Sequence, residues 1–287
     1  MAALPRRPLG NTGIDVSCLG LGTVKLGRSE GVKYPGKFTI PDDQAVLALL
    51  AQAQALGINL IDTAPAYGNS EERLGRLMQQ RQDWVICSKT GEEFVGGKST
   101  FDFSAGHTRK SVERSLRRLN TDYLDLVLVH SDGNDVGIIE QTDCFETLAR
   151  CRDQGKIRAF GISGKTVAGG LLAAPLCDVV MVSCNPGYTD ELEVIQRAGD
   201  LHKGVLIKKA FASGHALASS RHDQAQPTPG RPTDDTVDTV YRTLRFIFAQ
   251  PGVTSIIAGT INPAHLQHNV DAATRAVAVT VAERHRG

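Results

Sequence analysis

The amino-acid sequence predicts an α/β protein of the (β/α)8 TIM-barrel class, with an N-terminal β-hairpin and long loops at the C-terminal mouth. Three observations carry that prediction. At 287 residues the chain is close to the roughly 250 that one such barrel uses. Short apolar runs alternate with amphipathic stretches along nearly its whole length, as strands made parallel by crossover helices require. The runs Leu124 to Val129 and Val179 to Val182 are apolar almost throughout, which suits strands covered on both faces.

In chain order, Arg7 to Gly20 comes first. The turn-like Gly10, Asn11, Thr12 and Gly13 lie between two short extended segments, so a hairpin is expected ahead of the barrel. Eight strands are then expected to end near Gly22, Asp62, Lys89, His130, Ser163, Cys184, Lys208 and Gly259. Helix starts are signalled by Thr39 before Pro41, Asp42 and Asp43, by Ser70 before Glu71 and Glu72, by Thr189 before Asp190 and Glu191, and by Asn262 before Pro263. Val46, Leu49, Leu50, Ala53 and Leu56 recur at helical spacing until Gly57, and Gly155 and Gly199 end comparable stretches. Right-handed crossovers leave few topologies other than a closed barrel, read here as one domain over residues 1–287. Thr90 to Phe103 and Gly214 to Thr233 resist regular assignment. Both are candidate covers for an active site, with surface disorder an equal reading of the second.

The composition narrows the function classes. Hydrophobic residues at 41% and charged residues at 22% describe an ordinary globular protein. A net charge of +1 without blocks of like charge argues against a polyanion partner such as nucleic acid. Pro8, Gly10, Asn11 and Gly13 follow Arg6 and Arg7 where an export signal needs an apolar core, and no apolar run suits a membrane span. The six cysteines include no Cys-x-x-Cys pair and sit partly in apolar runs, so reduced core thiols in the cytoplasm are expected. His265 and His268 share a helix face but lack a third ligand, so no metal site is expected.

Polar residues at strand C-terminal ends point into a barrel's mouth. Asp62, Lys89 and His130 each end an expected strand there, and Tyr67 follows Asp62 by one tight loop. Singly these read as a capping carboxylate, a rim charge, a hydrogen-bonded histidine and a rim aromatic. Together they form a proton-transfer set. A phenol with a pKa of about 10 is a poor acid at neutral pH, a neighbouring ammonium can lower it, and a carboxylate can hold that ammonium. His130 can donate to or orient a carbonyl.

The run Asp62, Thr63, Ala64, Pro65, Ala66, Tyr67, Gly68 resembles the signature of the aldo-keto reductase superfamily. The likeness continues through Ser70 to Gly75, Lys89 and Thr90, Ser111 to Asp125, Gly161 to Ser163, and Gly252 to Asn269. The resemblance implies a nicotinamide-dependent enzyme that reduces a carbonyl to an alcohol, or the reverse. Tyr67 would be the general acid, Lys89 and Asp62 would tune it, and His130 would orient the carbonyl. It implies an extended cofactor across the mouth without a Rossmann module, consistent with the lack of a G-x-G-x-x-G segment opening a helix. GISGKT at Gly161 to Thr166 is a near miss for a phosphate loop and is rejected, because Ala159 stands where its first glycine should be.

The implied cofactor residues are Gly22, Thr23, Asp62, Ser163, Met181, Lys208, Phe211, Ser213, Gly259, Thr260, Asn262, His265 and Asn269. A helix opened by Asn262 and Pro263 suits a phosphate, with an ordinary capped helix as the alternative. NADP (NADPH) is expected over NAD. Departures from the family pattern touch this list: Gly164 and Met181 replace carboxamide-binding side chains, and Lys208 replaces a stacking aromatic. His265 and Gly259 remove fixed positive charge near the 2'-phosphate. Ser131 to Gly133 replace a bulky pocket wall. The expected partner is a small-molecule carbonyl or alcohol, with neither nucleic acid nor membrane. Two alternatives stand beside this reading: a cofactor-sensing regulatory protein, and a lyase or isomerase with Lys89 as a Schiff-base amine, which Asp62 would oppose by keeping the amine charged.

Overall fold

The computed structural model describes residues 4–34, 36–212 and 234–284. A short antiparallel pair, β1 (Arg6–Pro8) and β2 (Asp15–Ser17), precedes the barrel strands. The chain continues through β3 (Leu19–Gly22), α1 (Val24–Gly27), α2 (Asp43–Ala55), β4 (Leu60–Asp62), α3 (Ser70–Leu77) and β5 (Val85–Thr90). A second hairpin, β6 (Glu92–Val95) and β7 (Lys98–Phe101), leads to α4 (Ala105–Arg118) and β8 (Leu124–His130). Then come α5 (Asp135–Gln141), α6 (Cys144–Asp153), β9 (Ile157–Ser163), α7 (Val167–Ala173) and β10 (Val179–Ser183). The order closes with α8 (Leu192–Asp200), β11 (Gly204–Lys208), α9 (Asp234–Ala249), β12 (Ser255–Ala258) and α10 (Pro263–Arg284).

Eight of these strands form a closed barrel in the order β3-β4-β5-β8-β9-β10-β11-β12. All eight pairings are parallel, and β12 returns to β3 through Ile256 opposite Leu19 and Ala258 opposite Leu21. The two-residue side-chain period divides the core in two. Leu60, Cys87, Leu126, Leu128, Ala159, Val179, Met181 and Leu206 fill the interior. Their neighbours Ile61, Ile86, Val127, Val129, Val180 and Ile207 pack outward against the helices.

The first hairpin plugs the lower end of the barrel. Its turn uses Gly10 and Gly13 at φ of 56° and 69°, and it sends Leu9, Ile14 and Val16 into the interior cluster. Asn59 ties this plug to the barrel: its Oδ1 accepts from Ser17 N at 2.6 Å and its Nδ2 donates to the Asp15 carbonyl at 2.9 Å.

Several expected boundaries move. The side chain that caps α2 is Asp42, accepting from Ala45 N at 2.8 Å, rather than Thr39. Neither Ser70 nor Thr189 caps a helix; the preceding residues there are Asn69 and Glu191, without side-chain cap bonds. Thr90 to Phe103, expected to be irregular, contains the β6–β7 hairpin, turned by Gly96 and Gly97 at φ of 58° and 79°. A Gly-Gly pair supplies the two positive-φ positions of a tight hairpin turn at no steric cost. Gly214 to Thr233 lies outside the described residues. All six cysteines are buried free thiols.

Replacing Asn59 with Ala strands a buried backbone N–H and frees the plug. Asn59→Ala is expected to lower the unfolding free energy by about 2 to 3 kcal/mol, read from the urea midpoint, with little change in the slope.

Candidate active site

The inward parity of the barrel strands, carried to their last residues, assembles the site. Leu60 leads to Asp62, Cys87 to Lys89, Leu128 to His130, Gly161 to Ser163 and Leu206 to Lys208, each two residues on and on the same face. These polar side chains form the top layer of an otherwise apolar interior. Lys89 is almost fully buried, and its Nζ donates to Asp62 Oδ1 at 2.5 Å and to the Thr63 carbonyl at 2.9 Å. The same Nζ lies 4.9 Å from the centre of the Tyr67 ring. Tyr67 meets His130 edge to face, with ring centres 6.2 Å apart and planes at 86°. The structure therefore brings all four residues of the expected proton-transfer set together.

Tyr67 reaches this position through a close backbone crossing. Gly68 has φ of 63°, and a Cβ there would lie 2.0 Å from the Gly27 carbonyl oxygen. Conversely, a Cβ on Gly27 would lie 2.3 Å from the Tyr67 carbonyl. Two side-chain-free residues let α1 and the Tyr67 loop touch. Ser70 Oγ pins the loop to Thr23 Oγ1 at 2.9 Å, and Arg28 Nη1 donates to the Ala66 carbonyl at 3.0 Å.

Electrostatics revise one expectation. Burial raises the Tyr67 pKa, Lys89 lowers it and Asp62 raises it; burial wins, so the phenol sits above its ordinary value instead of being drawn toward neutrality. Burial also disfavours the Lys89 ammonium, but Asp62 and the surrounding Tyr67 and Cys87 more than offset it, and the amine stays charged. That opposes a Schiff-base role for Lys89, which needs the neutral amine.

The β6–β7 hairpin brings Glu92 over the mouth, where its Oε2 lies 2.7 Å from His130 Nδ1. Glu92 Oε1 accepts from Ser99 Oγ at 2.6 Å, with Arg28 Nη1 at 3.8 Å. Despite burial, which raises its pKa, His130, Ser99 and Arg28 hold the Glu92 carboxyl down to about 2. His130 itself lies below its ordinary value: burial leads, Glu92 raises it, and Lys89 and Lys208 lower it further.

The implied cofactor residues fall into groups. Gly22 ends β3 and Thr23 follows it; Thr23 donates through both N and Oγ1 to the Asp62 carbonyl, at 3.0 and 2.9 Å. A Cβ on Gly22 would lie 3.4 Å from Gly259 Cα, so these facing glycines leave a cradle of bare backbone between β3 and β12. Thr260 and Asn262 follow Gly259 ahead of α10, and His265 and Asn269, four residues apart, share one face of that helix. Asn262 Oδ1 accepts from Ala264 N at 2.9 Å and His265 N at 3.3 Å, so this helix start is side-chain capped and two of its amides are already engaged. Met181 is buried in the interior cluster, Phe211 packs half-buried against the outer core, and Ser213 lies outside the described residues.

The departures from the family pattern have local causes. Asp135 Oδ2 accepts from Lys165 N, Thr166 N and Thr166 Oγ1 at 2.8, 2.7 and 2.7 Å, and Ser131 Oγ donates to Oδ1. A Cβ on Gly164 would come within 3.2 Å of Asp135 Oδ2, so this internal carboxylate takes the space an asparagine side chain would need. GISGKT thus folds around the chain's own anion. Lys208 Nζ donates to Ser163 Oγ at 2.9 Å and to the Gly164 carbonyl at 2.5 Å. Burial, with Lys209 and Lys89 nearby, brings its amine down to about 7 against the pull of Glu191.

Sequence reasoning missed Glu92, Asp135 and Tyr34. The Gly96-Gly97 pair could have revealed the hairpin that delivers Glu92. Tyr34, whose hydroxyl oxygen lies 3.5 Å from a Cβ built on Gly259, stands over the cradle; burial and Asp62 push its phenol up to about 12. Nothing in its local sequence marks it.

The family model described as the aldo/keto reductase family matches residues 18–238. A crystal structure assigned to the aldo-keto reductases of Pseudomonas aeruginosa superposes with a TM-score of 0.82 at 53% identity, over 96% of this chain and 97% of that one. L-galactose dehydrogenase of Arabidopsis thaliana is 28% identical over 96% of this chain and 89% of its own length. The NADH-specific methylglyoxal reductase of Escherichia coli is 28% identical over 92% of both chains.

The Lys208 amine carries a pH signature. Its ordinary value is 10.5 and its folded value about 7, so between those limits the unfolded chain holds a proton the folded chain has released, and stability rises with pH through that window. Lys208→Met removes the buried charge, and its gain over the wild type is expected to be larger at pH 6 than at pH 9 in paired urea titrations. An equal difference at both pH values would mean that the amine titrates normally.

Proposed function

The chain belongs to the aldo/keto reductase family and is an NAD(P)-dependent oxidoreductase; on that premise we propose that it interconverts an aldehyde or ketone and the corresponding alcohol with Tyr67 as general acid, and prefers NADPH to NADH. The observation that carries this reading is the buried Lys89–Asp62 pair at 2.5 Å beneath the Tyr67 ring, with His130 at its edge. We read residues 1–287 as one domain acting in the cytoplasm, a compartment that suits six buried free thiols.

Each group has a task. The raised pKa keeps the Tyr67 phenol protonated at neutral pH, the form a proton donor needs. Lys89 stays charged through Asp62, so the phenolate left after donation forms beside a fixed cation. His130 orients the reacting oxygen. Gly22 and Gly259 leave room for close backbone approach, and Thr23, Ser163, Thr260, Asn262, His265 and Asn269 supply polar groups for a nucleotide along the mouth. The nicotinamide, when bound, supplies or accepts the hydride. The NADPH preference rests on the family likeness and on His265, which can hydrogen-bond a 2'-phosphate but is only partly charged at neutral pH.

Tyr67→Phe is expected to lower kcat/KM for nitrobenzaldehyde by about 10²- to 10⁴-fold while nucleotide affinity stays within about twofold. Unchanged turnover removes Tyr67 from the mechanism. In fluorescence titrations the wild type is expected to bind NADPH more tightly than NADH, and equal affinities would remove the preference. Binding without cofactor oxidation across a carbonyl panel would favour a regulatory protein.

A further inference from the structure

Beyond the four central residues, the mouth holds a carboxylate that the β6–β7 hairpin sets against His130. We propose that Glu92 is a positioning residue that fixes the proton of the neutral His130 ring on Nδ1, so that Nε2 accepts a hydrogen bond in the neutral ring and donates one only in the imidazolium. This rests on reading His130 as part of the catalytic set.

Glu92 Oε2 and His130 Nδ1 are 2.7 Å apart, both side chains are little exposed, and among the described residues the buried nitrogen has no well-aligned hydrogen-bond partner, this close contact included. Two bare acceptor atoms at that distance would repel, so a proton lies on one of them. The carboxylate is the weaker claimant: Ser99 Oγ donates to its Oε1, Arg28 stands near, and the group is held down to about 2. The proton therefore belongs to Nδ1. A neutral imidazole carries one N–H, so Nε2 then presents a lone pair to the mouth.

A carbonyl oxygen needs a donor, whereas an alcohol needs an acceptor for its hydroxyl hydrogen. With Nδ1 committed to Glu92, the charged ring meets the carbonyl and the neutral ring meets the alcohol. The groups facing His130 set the balance from four elements. Glu92 on β6 favours the imidazolium. Lys89 on β5, Lys208 on β11 and burial favour the neutral ring, and the Tyr67 edge from the loop after β4 closes the remaining side. Without Glu92, a neutral ring would be free to carry its proton on Nε2 and donate to a carbonyl at any pH. The carboxylate thus makes carbonyl binding depend on the charge of His130.

The test is histidine-¹⁵N NMR of the full chain across pH 5 to 9, with the His130 signal assigned by its loss in His130→Gln. The wild type is expected to show the Nδ1–H tautomer once neutral. Glu92→Gln is expected to release that constraint, giving a population protonated on Nε2, and to lower the His130 pKa by about one unit or more. The falling limb of kcat/KM for carbonyl reduction, which follows the His130 pKa in the wild type, should flatten or disappear in Glu92→Gln, because its neutral ring can still donate from Nε2. A wild-type neutral ring protonated on Nε2 overturns the proposal without any variant, as does a Glu92→Gln spectrum that leaves tautomer and pKa in place. An Nδ1–H tautomer in a protein that turns over no carbonyl would retire the proposed reaction and leave the Glu92 assignment standing. An Nε2–H tautomer in an enzyme that still needs Tyr67 would do the reverse.

Discussion

Lys89 is an ammonium held inside a protein, where an isolated charge would cost several kcal/mol or give up its proton, and the upper barrel is arranged around keeping it paired. Asp62 lies on the adjacent strand β4, and the β4–β5 register sets Asp62 opposite Cys87, two residues before Lys89 on the same inward face. The Thr63 carbonyl accepts a second hydrogen bond from the ammonium. Tyr67 is placed over this pair by the loop that leaves β4, and that loop can approach only because Gly27 and Gly68 lack side chains at the crossing. The charge, the carboxylate and the phenol therefore form one packed unit. Removing Asp62 would leave a buried cation with only a neutral carbonyl and hydroxyl around it.

A second layer of charge surrounds this unit and gives the mouth its individual character. Glu92 arrives from an antiparallel hairpin that is not part of the barrel and faces His130. Lys208 ends β11 and is tied to Ser163 and the Gly164 carbonyl. Asp135 ties the segments after β8 and β9 together by gathering two backbone amides and two hydroxyls. Gly164 is small because Asp135 stands where a larger side chain would go, so a position that reads as a loss in the sequence is part of a different hydrogen-bond arrangement. The amine of Lys208 fills polar contacts that an aromatic ring could not make.

The far end of the barrel is closed by different means. Leu9, Ile14 and Val16 extend the apolar interior downward, and Asn59 joins them to β4 through paired polar contacts.

The sequence by itself determined the barrel and the identity of the central residues. Short, nearly continuous apolar runs at the strands and glycine stops after the helices are local signals, and the inward parity that buries Leu60, Cys87 and Leu128 also places Asp62, Lys89 and His130 at the mouth. Local signals did not determine which group balances which. Glu92 and His130 are far apart in sequence, as are Lys208 and Ser163, and Asp135 and Gly164, so nothing in their own windows links them. The net pKa of Tyr67 was also out of reach, because it depends on how far desolvation outweighs the neighbouring ammonium. Desolvation is a property of the assembled mouth, and only the tertiary structure sets it.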